Sequence, residues 1–389
     1  MGVNVAERGA SPAEWQAALD RRARLRAKAG LTRRLHPRGA DDGVVDLAGN
    51  DYLGLSRHPE VVAAAAEALS GYGLGATGSR LVRGSTDLHD ALEADLAGWL
   101  GLDAALVYSS GYLANLGAVR ALVRPGTVLV SDAHNHASLI DACRLAGTET
   151  VVAPHADPDA VAAALAARPG RSGLVLTESV FSVDGDLAPL ADLHAVARRH
   201  GALLLVDEAH ALGVIGPAGA GGVVAAGLAG EPDVVVTATL SKSIGGVGGV
   251  IAGPAALRRH LVDTGRTFIY DTALPPAVAA GAAVALRLAV AGDDLRATLR
   301  RRAEKAVRRL RAAGFAVATP AGGVISVPAP SPETAVEWAA DCRDRGVAVG
   351  CFRPPSTPDN RSRLRLTVSA AVAEPDFDRA LTTILDCAP

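Results

Sequence analysis

A lysine, an acid and an imidazole stand near one another in this sequence, each just after a short apolar run. Leu203–Val206 breaks into Asp207-Glu208-Ala209-His210, and Val234–Val236 into Thr237-Ala238-Thr239-Leu240-Ser241-Lys242 and then glycines. A lysine among small residues can reach an aldehyde as a Schiff base, and a carboxylate can hold a pyridinium nitrogen. That pairing is what a protein contributes to pyridoxal-phosphate chemistry. Taken alone, Ser-Lys-Ser in a glycine-rich loop reads as ordinary surface. The acid and histidine about one strand–helix unit upstream change that reading. Two more apolar runs end in polar stretches, one holding His134 and His136, the other running from Glu178 through Ser182 to Gly185.

These side chains need a common scaffold. An apolar run bounded by turn residues reads as a strand buried on both faces, and open α/β sheets place their ligand crevice at the carboxyl ends of such strands. From Ala104 onward, strands and helices are expected to alternate: 105–108, 112–123, 127–131, 137–146, 150–153, 157–168, 173–179, 189–200 and 202–206. This alternation predicts a mostly parallel, doubly wound sheet. The turn Ser109-Ser110-Gly111 opens a helix at Tyr112, where free N–H groups and the helix dipole favour an anion. Before this region lie an arginine-rich amphipathic helix at 13–29, a basic segment at 31–42 and a glycine-rich loop at 71–86. After Gly253 come helices over 275–313, then a smaller α/β unit with strands near 315–328, at 347–351 and at 363–368. Arginines gather in its loop 352–358 and its strand 363–367. An arginine fork matches a carboxylate bidentately; Arg361 and Arg363 read as solvated edge residues more readily than Arg365.

Composition narrows the classes. A chain of 389 residues is expected to form two or more lobes. A formal charge of −2 with mixed signs offers no nucleic-acid surface. The apolar stretch 273–290 is interrupted by Pro275, Pro276 and Arg287 and is too short for a membrane span. The four scattered cysteines fit reduced thiols in a cytoplasmic protein, and the first residues show no signal-peptide core.

Read together, NDYLGL (50–55), SSGYLANL (109–116), NHASLID (135–141), ESVFSVDGDLAPL (178–190), DEAHALG (207–213) and TLSKSIGG (239–246) resemble the α-oxoamine synthases, fold-type I pyridoxal 5'-phosphate enzymes, in order along nearly the whole chain. CFRPPSTP at 351–358 followed by RLRLT at 363–367 is most similar to the branch condensing a pimeloyl thioester with L-alanine in biotin synthesis. The resemblance implies an N-terminal helical segment (1–48), a large cofactor-binding domain (49–290) and a small C-terminal domain (291–389). It implies Lys242 as Schiff-base lysine and general base, Asp207 at the pyridine nitrogen, and His136 stacked on the ring. His210 and Ser182 would lie near the phenolic oxygen, and Gly111, Tyr112 and Thr239 around the phosphate. Thr272 would reach the phosphate of a second subunit, so a homodimer is implied. Asn50 and Arg365 would take the amino-acid carboxylate, with Arg353 and Arg33 as candidates for the acyl substrate. Ala211, where many relatives carry glycine, and Asp271, where a hydroxyl is common, depart from the pattern. The alternatives are a condensing synthase using glycine and acetyl-CoA, an aminotransferase-like activity that releases no thiol, and a cofactor-binding regulator. The last lacks any helix-turn-helix pattern in the first 50 residues.

Overall fold

The computed structural model describes residues 11–354 and 356–389, so the N-terminal leader reading and Pro355 of the Arg-Pro-Pro stretch lie outside the described residues. In chain order the N-terminal part contains α1 (Pro12–Lys28), β1 (Val45–Leu47), α2 (Pro59–Tyr72) and α3 (Asp87–Leu100). The alternating part follows with β2 (Ala104–Tyr108), α4 (Gly111–Leu122), β3 (Val128–Asp132), α5 (Ala137–Ala146), β4 (Glu149–Ala153) and α6 (Pro158–Ala166). It continues through β5 (Gly173–Glu178), α7 (Leu190–Arg199), β6 (Leu203–Asp207), α8 (Gly222–Ala225), β7 (Val234–Thr239) and β8 (Gly249–Gly253). Then come α9 (Ala255–Thr264), α10 (Arg266–Ile269), α11 (Pro276–Val290) and α12 (Asp293–Ala312), and last β9 (Val324–Pro328), α13 (Pro332–Asp344), β10 (Val347–Phe352), β11 (Arg363–Thr367) and α14 (Glu374–Asp386).

The apolar runs form one seven-stranded sheet in the order β2-β8-β7-β6-β5-β3-β4, with β8 alone antiparallel to its neighbours. Successive residues of each strand enter different cores: Leu204 and Val206 pack on one face of the sheet, Leu205 on the other, and Val234, Val235 and Val236 repeat the pattern. Burial on both faces is why these strands read as continuous apolar runs rather than alternating ones. Their carboxyl ends therefore line up, and whatever polar residue follows each run arrives at the same edge.

A second sheet, β1-β10-β11-β9, carries α12, α13 and α14 and a core of its own that includes Trp338, whose indole N–H donates to Ile384 O at 2.8 Å. Three expectations change here. Residues 315–323 form no strand, because Pro320 and the Gly322-Gly323 pair interrupt the run; a Cβ on Gly323 would lie 2.9 Å from the Tyr52 ring. β11 is an interior strand, so Arg363 is buried and bonded to Asp184 (2.5 Å) and Asp359 rather than solvated. The segment 71–86 is not loop throughout: Arg80–Gly84 makes a π-helical turn around Arg80, which is buried against Glu93 at 2.6 Å. β1 pairs parallel with β10, so the N-terminal segment supplies a strand to the C-terminal sheet.

Candidate active site

The sheet edge is organised by β5, β6 and β7, whose ends are in register as Glu178, Asp207 and Thr237. Asp207 is buried, and both its oxygens are held: Asn115 Nδ2 donates to Oδ2 at 2.7 Å and the Ala209 N–H to Oδ1 at 2.9 Å. Asn115 is fixed in turn, because its carbonyl accepts from Thr237 Oγ1 at 2.5 Å. That contact sets which end of the amide faces the acid.

Lys242 follows β7 in a turn closed by the Gly245 N–H donating to the Lys242 carbonyl at 2.8 Å. Its Nζ lies 2.7 Å from Nε2 of His210, at the end of the turn after β6. Desolvation brings the lysine down to about 8, against the opposing pull of Asp207 and Glu178. Burial, with the Lys242 and Arg365 charges next, pushes His210 well below the usual imidazole range, so its ring is neutral.

His136 sits at the N-terminus of α5. Its Nδ1 accepts from the Ser138 N–H at 3.2 Å and lies 2.8 Å from Ser138 Oγ. Asn115 Nδ2 also reaches Ser138 Oγ at 2.7 Å, joining His136 to Asp207 through two side chains. Desolvation lowers the His136 pKa although part of the ring is open to solvent. Ser182 is buried; its N–H donates to Glu178 Oε2 at 3.1 Å and its carbonyl accepts from Arg365 Nη1 at 3.0 Å. Arg365 also donates through Nη2 to Asn50 Oδ1, and its guanidinium lies over the Phe352 ring at 4.9 Å.

Thr239 donates to Gly248 O at 2.9 Å and faces the start of α4, where a Cβ on Gly111 would stand 3.1 Å from Thr239 Cβ. Ser110 caps α4 by accepting from the Leu113 N–H at 3.2 Å. Among the described residues no acceptor faces the N–H groups of Gly111 and Tyr112. The Tyr112 side chain itself points outward and donates to Asp141 at 2.7 Å.

Two bonded sets thus meet here. Lys242 and His210 join Asn50, Arg365 and Ser182 through the Tyr52 hydroxyl. Asp207 joins His136 through Asn115 and Ser138 and acts on Lys242 through its charge; Gly111 and Thr239 lie at the rim. Three expected residues stand apart from both sets within one chain. Thr272 is exposed, beside Asp271, which accepts from Ser109 Oγ. Arg353 donates to the carbonyls of Gly30 and Thr32, and Arg33 to Ser356 Oγ at 2.7 Å, so both clamp the N-terminal segment onto the small lobe. Of the departures, Ala211 is fully buried, and the Asp271 carboxylate is engaged by Ser109.

Sequence reasoning missed three members. Asn115 carried a signal, as a polar residue among the buried Ala114, Gly117 and Ala118 of α4. Glu178 lies at a strand end like the others; burial, then the neighbouring Asp207, pushes its carboxyl well up, and its Oε1 has no partner. Tyr52 is wholly buried, with its hydroxyl 2.6 Å from His210 Nδ1. Nothing local in the sequence brings together residues 158 positions apart.

These residues fit pyridoxal phosphate. The N–H groups opening α4 can take a phosphate dianion, and the two glycines Gly111 and Gly249 leave backbone where side chains would collide with Thr239 and Ser110. A locked acid, a lysine of depressed pKa and a buried unpartnered carboxyl oxygen face the same space.

The aminotransferase class I and II family model matches residues 42–384. An 8-amino-7-oxononanoate synthase of Mycolicibacterium smegmatis is 54% identical over 97% of each chain, and one of Mycobacterium bovis is 52% identical over 97% of this chain and 95% of its own. Among solved structures, a serine palmitoyltransferase from S. paucimobilis with a bound PLP-myriocin aldimine superposes with a TM-score of 0.90 at 29% identity, covering 97% of this chain and 98% of its own. An 8-amino-7-oxononanoate synthase from Francisella tularensis gives 0.76 at 26% identity, over 89% and 98%. Similarity of this extent, on motifs whose residues gather at one sheet edge, shows that the chain belongs to the 8-amino-7-oxononanoate synthases of the pyridoxal-phosphate-dependent α-oxoamine synthase family.

Proposed function

We propose that this protein joins the acyl group of a pimeloyl thioester to L-alanine, giving 8-amino-7-oxononanoate, CO2 and the free thiol. The observation that carries the reading is the Arg365–Asn50 fork, joined through Tyr52 and His210 to Lys242, on which the Asp207 charge also acts. Arg365 and Asn50 grip the alanine carboxylate, which places the α-carbon beside the lysine. Bound pyridoxal phosphate supplies the electron sink for charge left at that carbon. Asp207, locked by Asn115, keeps the proton on the ring nitrogen that the sink requires. Gly111 and Tyr112 N–H groups with Thr239 would hold the phosphate, Ser182 and His210 would lie near the phenolic oxygen, and His136 would cover the ring face. Lys242 Nζ removes the α-proton and later returns one to the same carbon; an amine titrating near 8 is matched to both transfers. The new C–C bond forms as the thiolate leaves the acyl carbon, and the alanine carboxyl departs as CO2.

The site is completed by a second copy of the chain, which contributes Thr272 to the phosphate. Val82 and Tyr270 are exposed apolar side chains on segments that pack against each other near Thr272, and they support such an interface. Arg353 and Arg33 are assigned to the distal carboxylate of the acyl chain, a role that requires them to exchange their present bonds to Gly30, Thr32 and Ser356 for the substrate. All four cysteines are free thiols, which supports a reducing cytoplasm. Among the described residues no helix is long and apolar enough to cross a membrane.

Product analysis tests the reading. The purified protein with cofactor, pimeloyl-CoA and L-alanine is expected to yield CO2 and thiol in equal amounts with the nine-carbon amino ketone. Nitrogen exchange with no thiol released would assign an aminotransferase instead. Relatives above 50% identity favour the pimeloyl–alanine pair over glycine and acetyl-CoA.

A further inference from the structure

Tyr52 has no exposed surface, and its hydroxyl lies between two groups of different purpose. On one side it is 2.6 Å from His210 Nδ1, and His210 Nε2 is 2.7 Å from Lys242 Nζ. On the other it is 3.4 Å from Asn50 Oδ1, the atom that also accepts from Arg365 Nη2. Lys242, His210, Tyr52, Asn50 and Arg365 therefore form one continuous file of hydrogen-bonded side chains between the lysine and the carboxylate fork.

We propose that Tyr52 is a positioning residue that sets the tautomer of His210 and thereby couples the proton on Lys242 to the Asn50–Arg365 pair. The role of that pair rests on the condensing reading above; the coupling itself does not.

The direction of each bond follows from donor chemistry. An ammonium group only donates, so with Lys242 protonated His210 Nε2 must accept. The neutral ring then carries its proton on Nδ1, which donates to Tyr52 Oη, and the phenol proton is free to point at Asn50 Oδ1. When the amine has lost its proton and accepts from Nε2–H, Nδ1 becomes the acceptor. The Tyr52 O–H then turns to it and away from Asn50. The two states differ by the one proton on Lys242; ring and phenol keep one each throughout. Other charges face the file from every side: Asp207 from β6, Glu178 from β5, Arg365 from β11 and His136 from the start of α5. None of them bonds His210, so Tyr52 alone among the described residues holds Nδ1.

The chain contains three lysines, Lys28, Lys242 and Lys305, so protein labelled at lysine 13Cε gives three signals, with Lys242 assigned by its loss in Lys242→Met. In the full-length protein without cofactor the Lys242 signal should titrate near 8. Tyr52→Phe takes two bonds from the protonated state, Nδ1–H to Oη and Oη–H to Asn50 Oδ1, and one from the neutral state. The protonated state loses more, so the midpoint should fall by about one pH unit. With cofactor bound, the same variant should raise the KM for L-alanine about tenfold while the visible spectrum of the cofactor is retained. The phenyl ring preserves the packing, and a thermal melt confirms the fold. A folded Tyr52→Phe protein whose Lys242 midpoint is unmoved would overturn the proposal. A wild-type enzyme that released no thiol would refute the condensing reading instead and leave the titration as it stands.

Discussion

At the scale of single residues, the site works by making ordinary groups unlike themselves. Lys242 is brought down to about 8 by desolvation, so its neutral fraction grows as pH rises through that value and shrinks below it. Only the neutral amine attacks an aldehyde, so the rate of cofactor loading should rise about tenfold per pH unit below 8 and level off above it, as followed by stopped-flow absorbance. A loading rate flat from pH 6 to 9 would contradict this. Lys242→Ala should abolish the borohydride-reducible cofactor adduct, and an adduct that persisted would point to another lysine. Asn115 acts through Asp207: Asn115→Leu removes the donor to Oδ2 and leaves Thr237 Oγ1 without its acceptor. That variant should bind cofactor at least tenfold more weakly by equilibrium titration.

At the scale of elements, the decisive feature is that strand ends are polar where strand bodies are not. This is why Asp207, Lys242 and Ser182 were legible in the sequence: each follows an apolar run that must be a strand. Asn115 and Tyr52 were not, because one sits inside a helix and the other in a turn, and each gains its meaning from a partner on a distant element. Arg363 was misread for a related reason. Its run, Arg363-Leu364-Arg365-Leu366-Thr367, alternates as a half-exposed strand does, yet β9 and β10 flank it and acids from other segments receive the guanidinium. Two stability predictions belong here. Arg363→Ala should cost about 1–3 kcal/mol by chemical denaturation, limited by the partial exposure of Asp184 and Asp359. Glu93→Ala should cost more, about 3–5 kcal/mol, because Arg80, buried in its π-helical turn, would keep only the exposed Asp90 at 3.7 Å as a charge partner. Equal losses in the two variants would show that burial of the partners is not what separates them.

At the scale of the whole molecule, two lobes with separate cores meet at the site. The large sheet brings Lys242, Asp207 and His210, while β11 brings Arg365, which bonds across to the Ser182 carbonyl. The Arg365 fork and the Lys242–Asp207 pair are thus carried by different cores, and their alignment depends on how those cores sit together. The N-terminal segment adds to this by giving β1 to the small sheet and by receiving Arg353. Two chains of 39.4 kDa are expected to associate through the face bearing Val82 and Tyr270. Val82→Asp should shift the mass measured by light scattering toward one chain and lower thiol release in parallel. A monomer of full activity would remove Thr272 of a second copy from the account.

Initial rates of thiol release distinguish the pimeloyl–alanine pair from its competitors. With cofactor bound, pimeloyl-, acetyl- and palmitoyl-CoA are each paired with L-alanine, glycine and L-serine. Pimeloyl-CoA with L-alanine is expected to have the highest kcat/KM of the nine combinations, by about tenfold or more. A higher value for any other pair would leave the fold and the lysine chemistry in place and contradict the assignment of what this enzyme condenses.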